Sequence, residues 1–289
     1  MTAATQRLHI SMVTACLDQV KYVADALRSV LDQSTPPDEY IVIDGASRDG
    51  SLAAIQPFAP RLTRLISEPD GGQSDALNKG FRLARGKVLG WLNADDRLLP
   101  GALTLVRQEF AKGDVDVLCG ACRYESPGGR VATLHVGDAD LEHLDVYDPI
   151  HQPSCFFRRD WFERIGGLNT RLSFGMDWDL WLRLRRAGAR FRCITNVLSV
   201  YRVTGVNKTS VGGARRNREM YELLLRHSPQ HRLRTEIGYR VLWPLKRLRM
   251  QRPRWLCRAA SDAARTAALL ALGPVLGFDR VRCCTHPFS

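Results

Sequence analysis

The chain has 289 residues, of which 45% are hydrophobic and 25% charged. That balance excludes a disordered or fibrous protein and fits one large α/β domain with an appendage. The formal net charge is +12, unevenly placed: residues 215–289 hold 16 Lys/Arg against 5 Asp/Glu, and residues 1–214 hold 26 against 25. The expectation is a near-neutral domain over 1–214 and a basic, mainly helical extension over 215–289.

Residues 1–9 contain no apolar stretch, and the apolar run from Ile10 is strand-length. The reading therefore expects no signal peptide and a cytoplasmic chain. In chain order, residues 8–15 read as a strand, 20–33 as a helix and 40–44 as a β-branched strand. Residues 48–58 read as a helix, 62–67 as a strand, 74–84 as a helix, 87–92 as a buried strand and 100–111 as a helix. Strand returns from 115. Such alternation predicts a mostly parallel sheet with helices on both faces. Beyond it, 154–158 is strand-like, 160–165 and 176–187 helix-like, and 190–202 holds one or two strands. The eight cysteines are scattered through apolar runs and read as reduced, buried hydrophobes. Cys119 and Cys122 have redox-motif spacing, but they lie in a strand-like run with no second pair at zinc-finger spacing. Residues 266–278 are uncharged but too short to span a bilayer. Arg interleaved with Trp243, Trp255 and several Leu suits a helix on an anionic membrane as well as it suits a solvated helical face.

Ligands of open α/β sheets sit beyond the carboxyl ends of the strands, so the polar residues there are the candidates. Asp44 ends the second strand and leads into Gly45-Ala46-Ser47, which suits hydrogen bonding to a base or ribose. The same residues also make a turn and a helix cap. Glu68 to Gly80 brings two glycines and a crowd of polar groups, including Asp75, to the start of the next helix. Residues Gly90-Trp91-Leu92-Asn93-Ala94-Asp95-Asp96 end a buried strand in two adjacent acids. Adjacent carboxylates repel, and a hard divalent cation relieves them while bridging to phosphate oxygens. Residues 174–183 open a helix with Asp177 in its first turn. Trp178, Trp181 and Leu182 form an apolar stripe there, and Asp179 and Arg183 are spaced to pair.

These blocks, in this order over about residues 8–210, resemble the family 2 glycosyltransferases, which have the Rossmann-like GT-A fold. The resemblance implies a nucleoside-diphosphate sugar donor carrying UDP, GDP or dTDP, and Mg²⁺ or Mn²⁺ as cofactor. It implies that Thr14 and Ala15 lie on the nucleotide-contacting first strand. Asp44 would hold the base or ribose, and Asp75 and Asp95 the donor. Asp96 would bind the metal, and Asp177 would act as general base in an inverting displacement. Met176 stands where the family's paired acid would be. His151, Gln152 and Trp178 fall on the acceptor side. Thr204 stands where the family often has a His, which leaves Arg202 or Lys208 for the diphosphate. The implied acceptor is a glycan or a lipid-linked sugar in surface polysaccharide assembly. A sugar nucleotidyltransferase would want a Gly-rich basic loop after the first strand, and residues 14–21 contain no Gly. A non-catalytic membrane scaffold is the other alternative. No nucleic-acid-binding module is recognisable.

Overall fold

The computed structural model describes residues 8–242. Readings that fall on Trp243, Trp255, residues 266–278 and Cys283-Cys284 lie outside the described residues.

The first half alternates as its periodicity predicts. Strand β1 (Ile10–Cys16) is followed by α1 (Val23–Leu31), β2 (Glu39–Asp44), α2 (Ser51–Ile55), β3 (Arg64–Ser67), α3 (Gln73–Leu83) and β4 (Val88–Trp91). Helix α1 buries Val23, Ala26, Leu27, Val30 and Leu31, one stripe at spacings of three and four. The helix expected over 48–58 is cut short: α2 passes into a 3₁₀ turn, Gln56–Arg61, containing Pro57 and Pro60, and proline supplies no amide for the helical ladder. Then come β5 (Arg97–Leu98), α4 (Ala102–Ala111), β6 (Val117–Glu125), β7 (Val131–Leu134) and α5 (Asp138–Leu141). Strand β8 (Cys155–Arg158), α6 (Arg159–Arg164), α7 (Met176–Arg186) and β9 (Phe191–Arg202) complete the sheet region. β5, β7 and α5 are too short to leave a periodic signal and were not expected.

The sheet runs β3-β2-β1-β4-β8-β6-β9-β5, with β7 hairpinned to β6. Strands β1 to β4 are mutually parallel where they pair. The other half is mixed. β8 lies antiparallel between β4 and β6, β6 and β9 are parallel, and β5 is antiparallel to β9. The mostly parallel expectation thus describes the β1–β4 half, and the second half departs from it because β8 enters between β4 and β6 in the opposite direction.

By packing, the chain divides into two compact units. One comprises the residues up to Leu141 with Ile150–Asn207; the other comprises Glu142–Pro149 with the chain from Lys208 on. The boundary expected after residue 214 falls inside a helix of the second unit. That unit contains α8 (Lys208–Val211), α9 (Gly213–His227) and α10 (Arg232–Ile237). Its 142–149 segment is held internally: the Asp145 carboxylate meets His231 Nε2 at 2.8 Å, and its carbonyl accepts from Ser228 Oγ at 2.6 Å. No helix among the described residues is long and apolar enough to cross a membrane.

An aromatic cluster ties five elements of the first unit together. Phe81 of α3, Trp91 of β4, Phe157 of β8, Phe162 of α6 and Trp181 of α7 lie 4.8–6.0 Å apart, centroid to centroid, along their contacts. Aromatic pairs add directional packing to the large area they bury. Helix α3 reaches the sheet through Gly80, where an added Cβ would stand 2.4 Å from Val13 Cγ1. Alanine normally favours a helix over glycine by about 1 kcal/mol, but Val13 is fully buried in β1 and has no room to retreat. Overpacking of this kind costs about 1–3 kcal/mol. Gly80→Ala is therefore expected to lower the midpoint of denaturant unfolding despite its better helix propensity; an unchanged or raised midpoint would contradict the tight α3–β1 contact.

Candidate active site

The carboxyl ends of β1, β2, β3 and β4 gather the candidate residues. Two loops there are stitched to each other. In the β1–α1 loop, the backbone amides of Asp18, Gln19 and Val20 donate to Ser47 Oγ (2.9 Å), Ser51 Oγ (2.7 Å) and Asp49 Oδ2 (2.9 Å) of the β2–α2 loop. The Arg48 amide returns a bond to Asp18 Oδ1 at 2.8 Å. Asp44 is fully buried at the base of this seam. Its Oδ2 accepts from Ser67 Oγ at 2.6 Å and the Ser47 amide at 3.2 Å, and its Oδ1 has no partner among the described residues. A buried carboxylate oxygen without a donor is expensive unless a ligand supplies one.

Thr14 and Ala15 take different positions on β1. The Thr14 hydroxyl lies 2.9 Å from that of Tyr40 inside the core, so its side chain is turned away from the strand-end cleft. Ala15 is half-buried. Asp75, in the first turn of α3, accepts from the Gly71 amide at 3.0 Å. Asp70 does the same for Gly72 at 2.8 Å, where φ of +111° requires glycine. The two acids shape the Gly-Gly turn that opens α3.

Beyond β4 the chain makes a turn closed by the Asp96 amide on the Asn93 carbonyl (3.1 Å), then pairs with β9 through β5. This places Asp95 and Asp96 against the end of β9. Asp96 is fully buried. Its Oδ1 accepts from the backbone amide of Arg202 at 3.1 Å and its Oδ2 from Asn93 Nδ2 at 3.2 Å. Asp95, half-buried, accepts from Asn207 Nδ2 at 2.7 Å. Among the described residues, neither acid forms an ion pair with Lys or Arg. Burial raises the pKa of Asp95, and it raises that of Asp96 well above the carboxylate range, with the Asp95 charge as second cause. The two acids thus carry an electrostatic deficit that a cation would relieve.

An amide relay braces this turn. Gln73 Nε2 donates to Asn93 Oδ1 (2.8 Å), Asn93 Nδ2 also donates to Gln152 Oε1 (3.0 Å), and Gln152 Nε2 donates to the Trp91 carbonyl (2.9 Å). Gln152 was expected on the acceptor side. It is instead almost wholly buried beneath the acid turn, with both ends of its amide engaged. Trp178, also expected at the acceptor, is 2% exposed and packs in the interior, as the apolar stripe of α7 requires.

Asp177 lies in the first turn of α7, half-buried, and its Oδ1 accepts from the Trp178 amide at 2.9 Å. Four residues on, Trp181 stacks on Trp91 with centroids 5.7 Å apart and an 18° tilt. Residues four apart share a helix face, so this stack fixes the helix that carries Asp177 to the strand that delivers the acid pair. Met176 takes a hydrogen bond from Ser74 Oγ on its sulfur (2.8 Å), a contact that ties α7 to the start of α3. Asp179 is buried and pairs with Arg183 at 2.7 Å.

The Arg202 guanidinium pairs with Asp25 of α1 at 3.0 Å and lies over the Tyr22 ring. It is turned to α1, and it is the Arg202 backbone that serves the acid pair. Lys208 is exposed and belongs to the second unit. Thr204 Oγ1 donates to Asn207 Oδ1 at 3.0 Å. Sequence reasoning missed Asn207, Asn93 and Ser67 as partners of the acids, and Gln73 as the support of Asn93. Asn93 was legible from its place in the strand-end block; Asn207 had no signal, since its partner is 112 positions away.

His151 stands beside Tyr124, with Nδ1 3.3 Å from the phenol oxygen. Tyr124 in turn packs on Tyr201 at 4.9 Å.

Residues 11–169 match the family described as Glycosyl transferase family 2. The chain belongs to that family. It is a nucleotide-sugar-dependent glycosyltransferase with the GT-A fold. A PGL/p-HBAD biosynthesis glycosyltransferase of Mycobacterium bovis is 33% identical over 179 residues, 60% of this chain and 68% of that one. The chain spans about two thirds of the length of the first curated relatives it matches. Among solved structures, residues 1–349 of S. aureus TarS in complex with UDP-GlcNAc superpose with a TM-score of 0.67 at 15% identity, covering 96% of this chain and 90% of that one. The mannosyltransferase PcManGT of Pyrobaculum calidifontis, in complex with GDP-Man and Mn²⁺, gives 0.62 at 19% identity, covering 97% and 86%. These structural likenesses carry the fold.

Burial, and next the proximity of His135, lower the His151 pKa to about 4. In the unfolded chain an imidazole titrates near 6.5. Between about pH 6.5 and 4 the unfolded state therefore binds a proton that the folded state refuses. The contribution of His151 to stability is full above 6.5 and declines as pH falls, by up to about 1.4 kcal/mol per pH unit. An NMR titration is expected to find His151 neutral throughout pH 5–8, and His151→Gln to flatten the acid limb of the stability curve. An imidazole titrating near 6.5 would refute the burial argument.

Proposed function

We propose that this enzyme transfers the sugar of a nucleoside-diphosphate sugar to an acceptor hydroxyl with inversion, Asp177 acting as base. The observation that carries the reading is the buried Asp95-Asp96 pair at the end of β4, held by neutral donors and left electrostatically unbalanced. Such a site suits a divalent cation and a diphosphate. Among the described residues no group of three His, Cys, Asp or Glu forms a metal cage. Asp96, with Asp95 beside it, would therefore hold Mg²⁺ or Mn²⁺ and leave the remaining positions to donor phosphates and water. When bound, the ion neutralises charge developing on the leaving diphosphate.

The chain's own residues supply the rest. The unpartnered Oδ1 of Asp44 accepts an N–H from the edge of the base, a donor present on uracil, thymine and guanine alike. Asp95 and Asp75 orient the ribose or sugar. Asp177 takes the proton of the acceptor hydroxyl as that oxygen bonds to the anomeric carbon and the bond to the diphosphate breaks. A single displacement through an oxocarbenium-like state inverts the centre and needs no covalent sugar intermediate. Residues 215–289, with 16 Lys/Arg against 5 Asp/Glu, suit a lipid-linked acceptor at an anionic membrane surface.

Asp177→Asn is expected to keep nucleotide-sugar binding, measured by calorimetry with Mn²⁺, while turnover falls by a factor on the order of 10²–10⁴, the range of general-base contributions. Wild-type turnover in that variant would remove Asp177 from the mechanism. The membrane reading expects the full chain to co-sediment with vesicles containing phosphatidylserine at low salt and to leave them at high salt; a protein that stays in the supernatant at low salt would refute it.

A further inference from the structure

The end of β9 and the turn after it reach both acids. The Arg202 amide holds Asp96, and five residues later Asn207 holds Asp95. Asn207 is 7% exposed, and its carboxamide is fully used. Its two N–H bonds go to Asp95 Oδ2 (2.7 Å) and to the Arg202 carbonyl (2.9 Å). Its oxygen accepts from the Thr204 amide and from Thr204 Oγ1. Two acceptors on one side and two donors on the other leave only one orientation of the amide consistent with the network. The turn between them contains Gly205 at φ +78° and Val206, 75% exposed. Besides the Val203 amide, which donates to the Glu125 carbonyl at 2.8 Å, the turn is closed by the Asn207 network.

We propose that Asn207 is a positioning residue for the acid pair. By closing the 202–207 turn on itself and donating to Asp95 at once, it fixes the Asp95 carboxylate while the Arg202 amide of the same turn fixes Asp96. A neutral carboxamide suits this task. A Lys or Arg in its place would orient Asp95 but also cancel the charge that a cation must find there. Asn207 thus links the spacing of the two carboxylates to the conformation of one short segment. This inference rests on the proposed role of Asp95-Asp96 as the site of the metal and diphosphate.

The test is a double-mutant cycle between Asn207→Ala and Asp95→Asn, with Asp96→Asn alongside. Mn²⁺ is titrated into the metal-free full-length protein, and UDP and GDP are then titrated at saturating Mn²⁺. Hydrogen exchange over 202–206 and the unfolding midpoint are read in the metal-free state. Asn207→Ala is expected to fold, to lose amide protection over 202–206, and to weaken Mn²⁺ and nucleotide binding roughly tenfold or more, as loss of a hydrogen bond to a charged group implies. In the Asp95→Asn background the same substitution is expected to weaken binding by less than twofold further. Equal losses in both backgrounds would show that Asn207 acts through the turn alone and would overturn the proposal, as would unaltered binding in Asn207→Ala. Wild-type binding in both Asp95→Asn and Asp96→Asn would instead sink the site assignment itself. Strong losses in those two with an inert Asn207→Ala would sink only the positioning role.

Discussion

The organisation of the first unit turns on a carboxyl group placed where burial disfavours its charge. Asp96 is wholly inside the protein, beside a second acid, and the groups that hold it are a backbone amide and a carboxamide. Hydrogen bonds from neutral donors orient a carboxylate without neutralising it. The surrounding layers follow from that need. Gln73, Asn93 and Gln152 form a relay anchored on the Trp91 carbonyl, and β5 pins the chain leaving the turn to β9. A protein that only had to fold would more cheaply place apolar residues here.

The same logic explains why the two halves of the sheet differ. The parallel half ends four strands at one edge, where backbone-to-side-chain bonds tie the β1–α1 loop to the chain that follows β2. The mixed half brings β9 across to the acid turn, and the 3₁₀ turn that leads into β8 places Gln152 beneath it. The aromatic cluster sits under both halves. Through the Trp91–Trp181 stack it makes the orientation of α7, and so of Asp177, a property of the core rather than of a surface loop.

Much of this was readable in the chain. Periodicity located the longer strands and helices to within a few residues, because Val23, Ala26, Leu27, Val30 and Leu31 fall at helical spacing and Tyr40 to Asp44 is β-branched and buried. The acids stood out because strand-end carboxylates have few purely structural uses. What escaped was whatever depends on contacts between distant positions. Gln152 fell on the acceptor side only through the family resemblance; the fold shows that Asn93 and Trp91 occupy its amide. Trp178 was ambiguous, since a stripe fixes which face is apolar but not whether its rim reaches the surface. Arg202 was expected to act through its guanidinium, yet Asp25, far away in sequence, claims it. The direction of β8 is likewise invisible to local pattern, because parallel and antiparallel strands share the same side-chain alternation.

The family match ends at residue 169, whereas Asp177, the Arg202 amide and Asn207 all lie beyond it. The matched region therefore ends before the residues that support the acid turn. A segment exchanged at the edge of that region would carry the two acids and Asn93 but leave behind the Arg202 amide and Asn207. Exchangeable modules of this protein must instead carry the chain at least to Asn207.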